Sequence, residues 1–113
     1  MIEYRRGDVV LVSFIFSGET GVKRRPAAIL SSKAYHTGRD KVIIAAITSR
    51  IDRILTGDHL IADWQVAGLL FPSVVTGVIR TIKQDMVNKK LGSLSIQDSG
   101  EVDKKLKRAQ GLI

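Results

Sequence analysis

The sequence predicts a mainly β protein with a C-terminal α-helix, arranged as a small, strongly bent β-barrel closed by that helix. Three observations carry the prediction. Short apolar runs rich in β-branched residues recur at 9–16, 27–30, 41–48 and 73–83, each too short and too β-prone for a helix. Turn-forming residues separate them, at Gly7-Asp8, at 17–21 and at Thr56-Gly57-Asp58. Only the tail has helical periodicity, with Val102, Leu106 and Ala109 spaced i, i+4, i+7. Closing a short-stranded sheet removes its exposed edges, which favours a barrel over an open ribbon.

Taken in order, Gly7-Asp8 turns the chain into a first strand, 9–16, whose adjacent apolar side chains imply burial on much of both faces. Residues 17–21 are a loop by composition. Pro26 opens the second strand, 27–30, because a residue without a ladder N–H fits a first strand position. Residues 35–40 read as a polar connection. The third strand, 41–48, is apolar almost throughout and is expected at the centre of the sheet. A short strand at 59–62 follows the break at Gly57. The long strand 73–83 carries Gly77 at a bulge or bend, and a helical turn at 85–87 leads into Leu91-Gly92-Ser93-Leu94. In the tail, Asp98 and Glu101 have the spacing of a capping box. The apolar strand surface exceeds what one small helix can cover, which predicts a homodimer.

Composition bounds the function. At 113 residues the chain is expected to be one domain, 1–113. Hydrophobic residues make up 44% and charged residues 26%, a balance that argues against disorder. There is no cysteine, hence no disulfide and no thiolate chemistry. Two histidines in different contexts give no zinc-site spacing, so no metal and no cofactor are expected. No apolar run approaches a membrane span, and charged residues occupy the N-terminus where a secretory signal needs apolar ones; a cytoplasmic location is the expectation. The 18 Lys and Arg against 11 Asp and Glu leave a net charge of +7, which attracts polyanions. Part of that charge clusters at Lys23-Arg24-Arg25 and at Arg50 and Arg53. Another group, Lys104, Lys105, Lys107 and Arg108, is expected to form one solvated helix face.

The sequence has no Ser-His-Asp pattern, no phosphate-cradling glycine loop and no carboxylate cluster. His36 and His59 lie in or beside polar loops and are expected to be plain surface histidines. Trp64 and Tyr35 are expected to anchor hydrophobic surface rather than to stack on bases. A sharper constellation lies at strand ends. Arg25 directly precedes Pro26 at the end of a basic loop, and Thr48 and Ser49 terminate the third strand. Strand ends of a small barrel converge on one rim, so a guanidinium and two hydroxyls could meet in one cleft. Arginine offers a rigid, permanently charged fork for phosphate, which suits phosphodiester chemistry on RNA, where the ribose 2′-OH is a built-in nucleophile. A surface ion pair at Arg25 and a strand cap at Thr48 account for the same residues.

Beyond single residues, five blocks stand in order: Arg6-Gly7-Asp8-Val9-Val10-Leu11-Val12; Lys23-Arg24-Arg25-Pro26-Ala27-Ala28-Ile29-Leu30; Ala45-Ala46-Ile47-Thr48-Ser49; Gly68-Leu69-Leu70 with Pro72-Ser73-Val74-Val75; and Ile79-Arg80-Thr81-Ile82. Leu91-Gly92-Ser93-Leu94 follows. In this succession, from Arg6 to the tail helix, the chain resembles the MazF/PemK family of toxin endoribonucleases. The resemblance implies a small, dimeric SH3-like β-barrel. It implies the toxin half of a type II toxin–antitoxin pair, which cuts single-stranded RNA, mRNA included, without a metal and so blocks translation. A protein antitoxin would restrain it through a tail laid in the RNA groove.

By the same resemblance Arg25 and Thr48 take the catalytic positions. The 2′-OH would attack the adjacent phosphorus and leave a cyclic phosphate and a 5′-OH. Arginine stays protonated far above neutrality, so Arg25 suits stabilisation of phosphorane charge better than proton donation. Thr48 suits a hydrogen bond to phosphate or 2′-OH. Glu19, Lys23, Arg24, Ser49, Ser73 and Arg80 complete the expected substrate-binding set. Ahead of Arg80-Thr81-Ile82 many members carry an acidic residue followed by glutamine; this chain has Val75-Thr76-Gly77-Val78. That departure keeps open a second reading, a weakly active or inactive barrel that binds RNA or an antitoxin. A purely structural or DNA-binding module is a third.

Overall fold

The computed structural model describes residues 3–14 and 23–112. Its elements follow in the order β1 (Asp8–Phe14), β2 (Lys23–Ile29), α1 (Lys33–His36), β3 (Lys41–Thr48), β4 (His59–Leu60), β5 (Val74–Lys83), a 3₁₀ turn (Gln84–Met86), β6 (Val87–Ser93) and α2 (Ile96–Ala109). The strands make one sheet in the order β4-β5-β3-β2-β1-β6, every neighbouring pair antiparallel. The fold is therefore mainly β with a C-terminal helix, and β3 sits inside the sheet as its apolar run implies. The expected loop at 17–21, with Glu19, lies outside the described residues, as do Ile15 and Phe16 of the expected first strand.

Strand alternation divides the core. Val9, Ala28 and Ala45, aligned across β1, β2 and β3, join Ile61, Leu69, Val75, Val102 and Leu106 in one cluster. Their neighbours Val10, Ala27 and Ile29 pack with Tyr4, Val42, Ile44 and Ile82 on the other side. Each fully buried valine or isoleucine contributes about 1.5–3 kcal/mol, so burial on both faces explains why strands this short hold. Trp64 is half-buried against the first cluster, the anchoring role expected of it. Tyr35 lies under Arg39, whose guanidinium carbon is 4.7 Å from the ring centroid.

Hydrogen bonds do not close this sheet into a barrel: among the described residues β4 and β6 remain its edges. Backbone contact seals the seam instead. Gly68, at φ +81°, lies in the β4–β5 connection against Gly92 of β6. A Cβ at Gly68 would stand 2.1 Å from the Leu91 carbonyl oxygen, and one at Gly92 would stand 2.6 Å from the Ala67 carbonyl carbon. Only glycine fits either place.

Several expectations are corrected. Pro26 is not the first residue of its strand but lies within β2, which begins at Lys23. The polar connection expected at 35–40 is helical at its start, where Tyr35 and His36 belong to α1, begun by Ser32, whose Oγ accepts from the Tyr35 N–H. The strand expected at 59–62 is shorter, His59–Leu60. Ser95, not Asp98, caps α2: its Oγ accepts from the Asp98 N–H at 3.1 Å. Asp98 is released for another task. It is 1% exposed, and its carboxylate accepts from the Ala62 and Asp63 N–H groups and from Ser95 Oγ, and meets His59 Nε2 at 2.8 Å. Burial pushes this carboxyl up, but the bonds from His59, Ala62, Asp63 and Ser95 together outweigh it and hold the group below its ordinary range.

His59 is likewise no surface residue. It is buried between Asp98 and Lys105, whose Nζ lies 2.8 Å from Nδ1, so Lys105 leaves the solvated face assigned to it. His36 is half-buried and bonded to Ser31 Oγ. No helix among the described residues is long and apolar enough to cross a membrane.

Candidate active site

A cavity opens where β2 and β3 part, and the local sequence explains why they part. The two strands pair at Ile29–Ile44, Ala28–Ala45 and Ala27–Ala46, and stop. Leu30 N donates to the Ile43 carbonyl at 2.8 Å, so by alternation the Pro26 nitrogen also faces β3. Proline has no N–H to give there. From that point β2 continues to Lys23 on β1 alone, and β3 continues to Thr48 on β5 alone. Two positions beyond Ala27–Ala46 the same register sets Arg25 opposite Thr48.

The far wall comes from a bulge. In β5, Val75 faces Ile47 and Ile79 faces Ala45, so Thr76, Gly77 and Val78 oppose the single residue Ala46. Thr76 Oγ1 donates to the Ala46 carbonyl at 2.7 Å and the Gly77 N–H donates to Asp58 Oδ1 at 2.8 Å, which fixes the bulge expected at Gly77. Beyond it Arg80 pairs with Ile44 and shares the face of Ala46 and Thr48.

The cavity measures about 840 Å³. Arg25, Thr48, Ser49, Ser73 and Arg80 all line it, so five of the sequence-selected residues meet in one place. Lys23 and Arg24, exposed on β2, do not line it, and Glu19 lies outside the described residues. Two further cations do, Arg50 and Lys89, together with the apolar rim residues Leu70 and Phe71. Arg50 is visible in sequence as a charge past a strand end; Lys89 reaches the site only because β6 pairs with β1, setting it opposite Leu11. Among the described lining residues every ionisable side chain is cationic: Arg25, Arg50, Arg80 and Lys89.

The hydroxyls differ in what they can offer. Thr48 Oγ1 accepts from the Arg50 N–H at 3.1 Å, which occupies one lone pair and leaves the O–H as a donor. Ser73 is buried and its Oγ donates to the Phe71 carbonyl at 2.8 Å, so its proton is already committed. Such a site presents positive charge and a donor to an anionic group, beside an apolar lip.

The family model described as PemK-like, MazF-like toxin of type II toxin-antitoxin system matches residues 5–109. The chain belongs to this toxin family. Solved structures share the fold of this MazF-like chain at low sequence identity. A MazE–MazF structure from Deinococcus radiodurans is 21% identical with a TM-score of 0.80, covering 97% of each chain. An endoribonuclease in complex with its cognate antitoxin from a mycobacterial species is 20% identical with a TM-score of 0.77, covering 98% of each. The Mycobacterium tuberculosis toxin MazF-mt6 is 22% identical with a TM-score of 0.76, covering 92% of this chain and 96% of its own. None of the curated proteins compared with the chain matches it.

Proposed function

We propose that this MazF-like chain is an endoribonuclease toxin that cuts single-stranded RNA in the β2–β3 cleft. The observation that carries the reading is the meeting of Arg25 and Thr48, at facing positions, in a cavity whose described ionisable lining is wholly cationic. Family membership and the endoribonuclease among the structures of similar fold support it.

In the reaction the ribose 2′-oxygen loses its proton and bonds to the adjacent phosphorus. The bond from phosphorus to the 5′-oxygen then breaks, and that oxygen takes up a proton, leaving a cyclic phosphate and a 5′-OH. Negative charge on phosphorus-bound oxygen grows along the way, and fixed donors aimed at it lower the barrier. Arg25 supplies a guanidinium for that charge, and Thr48, with its oxygen tied to the Arg50 N–H, supplies an O–H to a phosphoryl oxygen or to the 2′-oxygen. Ser49, Ser73 and Arg80 frame the substrate, while Lys23 and Arg24 extend contact beyond the cavity; Glu19 stays in the proposed substrate-binding set but lies outside the described residues.

Residues 1–113 act on this reading as one domain, in the cytoplasm, as a homodimer restrained by a cognate protein antitoxin. Exposed Ile51, Ile54, Leu55 and Leu60, on or before edge strand β4, are apolar surface that a second copy would cover. The deciding experiment incubates purified protein with a long single-stranded RNA in excess EDTA. Cleavage with 5′-OH ends, absent in a folded Arg25→Ala variant, is expected; intact RNA at micromolar protein overturns the reading.

A further inference from the structure

The lip of the cavity carries a feature that the chemistry of cleavage does not use. Leu70 is 83% exposed and Phe71 64% exposed, both lining the cavity. The chain on either side is anchored. Leu69 is buried in the core and its N–H donates to the Trp64 carbonyl at 3.1 Å. Beyond the pair, Pro72 fixes its own φ, Ser73 Oγ holds the Phe71 carbonyl, and the Ser73 carbonyl accepts from the Ile61 N–H at 3.0 Å. Two large apolar residues are thus presented to water by a segment pinned at both ends, where the core gains nothing from them.

Resting on the reading of the cleft as an RNA site, we propose that Phe71, with Leu70 beside it, is the platform on which one unpaired base of the substrate stacks. A nucleotide joins a flat apolar face to an anion one sugar away. The cavity offers the complementary pair, an exposed ring at its lip and the cations Arg25, Arg50, Arg80 and Lys89 in its lining. The backbone that carries the ring is pinned on both sides, so binding need not order the segment, and a π-face accepts any base. Phe71 therefore sets affinity and the placing of the strand, and the choice between bases falls to other groups. It is a binding residue, not a catalytic one.

The test is a binding cycle. The ligand is a short single-stranded RNA spanning a mapped cut site, with 2′-deoxyribose at the cleaved position so that it binds without reacting. Single abasic positions are then walked along it. Phe71→Ala is expected to weaken binding of the intact ligand roughly 5- to 150-fold, the range for loss of one base–aromatic stack, and Phe71→Tyr to restore it. At one position, removing the base should weaken the wild type by a similar factor and cost Phe71→Ala little more. In cleavage, KM should rise far more than kcat falls.

Equal abasic losses in wild type and Phe71→Ala at every position would overturn the stack. So would unchanged RNA affinity in Phe71→Ala with weakened binding of a protein partner, which would make the lip a protein contact. A wild type that binds but does not cut RNA overturns only the cleavage reading, since the cycle, run on an arbitrary single-stranded sequence, still decides the stack. A wild type that binds no RNA removes both.

Discussion

Arg25 and Thr48 occupy facing positions on β2 and β3, two residues past Ala27–Ala46, where Pro26 ends the ladder. Their proximity needs no long loop to deliver either side chain. The strand pairing that builds the core carries both to one cavity, which they line past the point where Pro26 offers β3 no N–H.

Removing the guanidinium should abolish most activity without unfolding the protein, because Arg25 is exposed. Arg25→Ala is expected to cut kcat roughly 10²–10³-fold, the usual cost of one transition-state donor. Arg25→Lys should recover little, since an ammonium lacks the planar fork. Single-turnover cleavage with circular dichroism as the folding control checks both.

The Thr48 hydroxyl can be isolated by shape. Thr48→Val keeps the volume but loses the O–H and the acceptor for the Arg50 N–H. Its cleavage rate should fall roughly ten- to hundredfold, the worth of a hydrogen bond to a charged group. Thr48→Ser should stay near wild type. Equal rates in the valine and serine variants would remove the hydroxyl from the mechanism.

Much of this site was legible in the chain, and the reasons are local. The third strand reads correctly because 42–47 is continuously apolar, and Arg25 and Thr48 stand out because one precedes Pro26 and the other ends that strand. Lys89 carries no such mark, because nothing near it in sequence signals the pairing of β6 with β1. His59 reads as a surface residue and Asp98 as a cap because their partnership crosses from β4 to α2, beyond the reach of local pattern. Composition also cannot tell a closed barrel from an open sheet sealed by Gly68 and Gly92; that depends on how closely two backbones approach.

Asp98 ties stability to acid. Its carboxyl is held below its ordinary value in the fold, so its contribution is present above the unfolded carboxylate range and is lost as pH falls through the folded value. Asp98→Asn should destabilise by roughly 1–3 kcal/mol, because the amide sets an N–H₂ against donors that the carboxylate satisfies. It should also flatten the acid limb. Urea midpoints measured against pH, for both proteins, give the comparison.

Glycines separate by position. Gly68→Ala places a Cβ 2.1 Å from a carbonyl oxygen at φ +81° and should cost several kcal/mol, enough to lower the melting midpoint sharply. Gly100 lies within α2 with nothing inside 4 Å of a built Cβ, so Gly100→Ala should stabilise by roughly 0.4–1 kcal/mol. Thermal melts of the two variants should move in opposite directions.

Lys89 should act as a charge alone. Lys89→Ala is expected to weaken RNA binding evenly across sequences and to reduce the salt slope of log affinity by about one. A change in cut-site preference would instead give it a base to read.

The seam also has a bearing on how this protein can change. Gly68 and Leu91 meet at the seam that holds the two ends of the sheet together, and both also line the cavity. Nothing there can be enlarged to reshape the pocket without prying the sheet open, so new cutting preferences would have to arise at the lip and along the splayed strand ends.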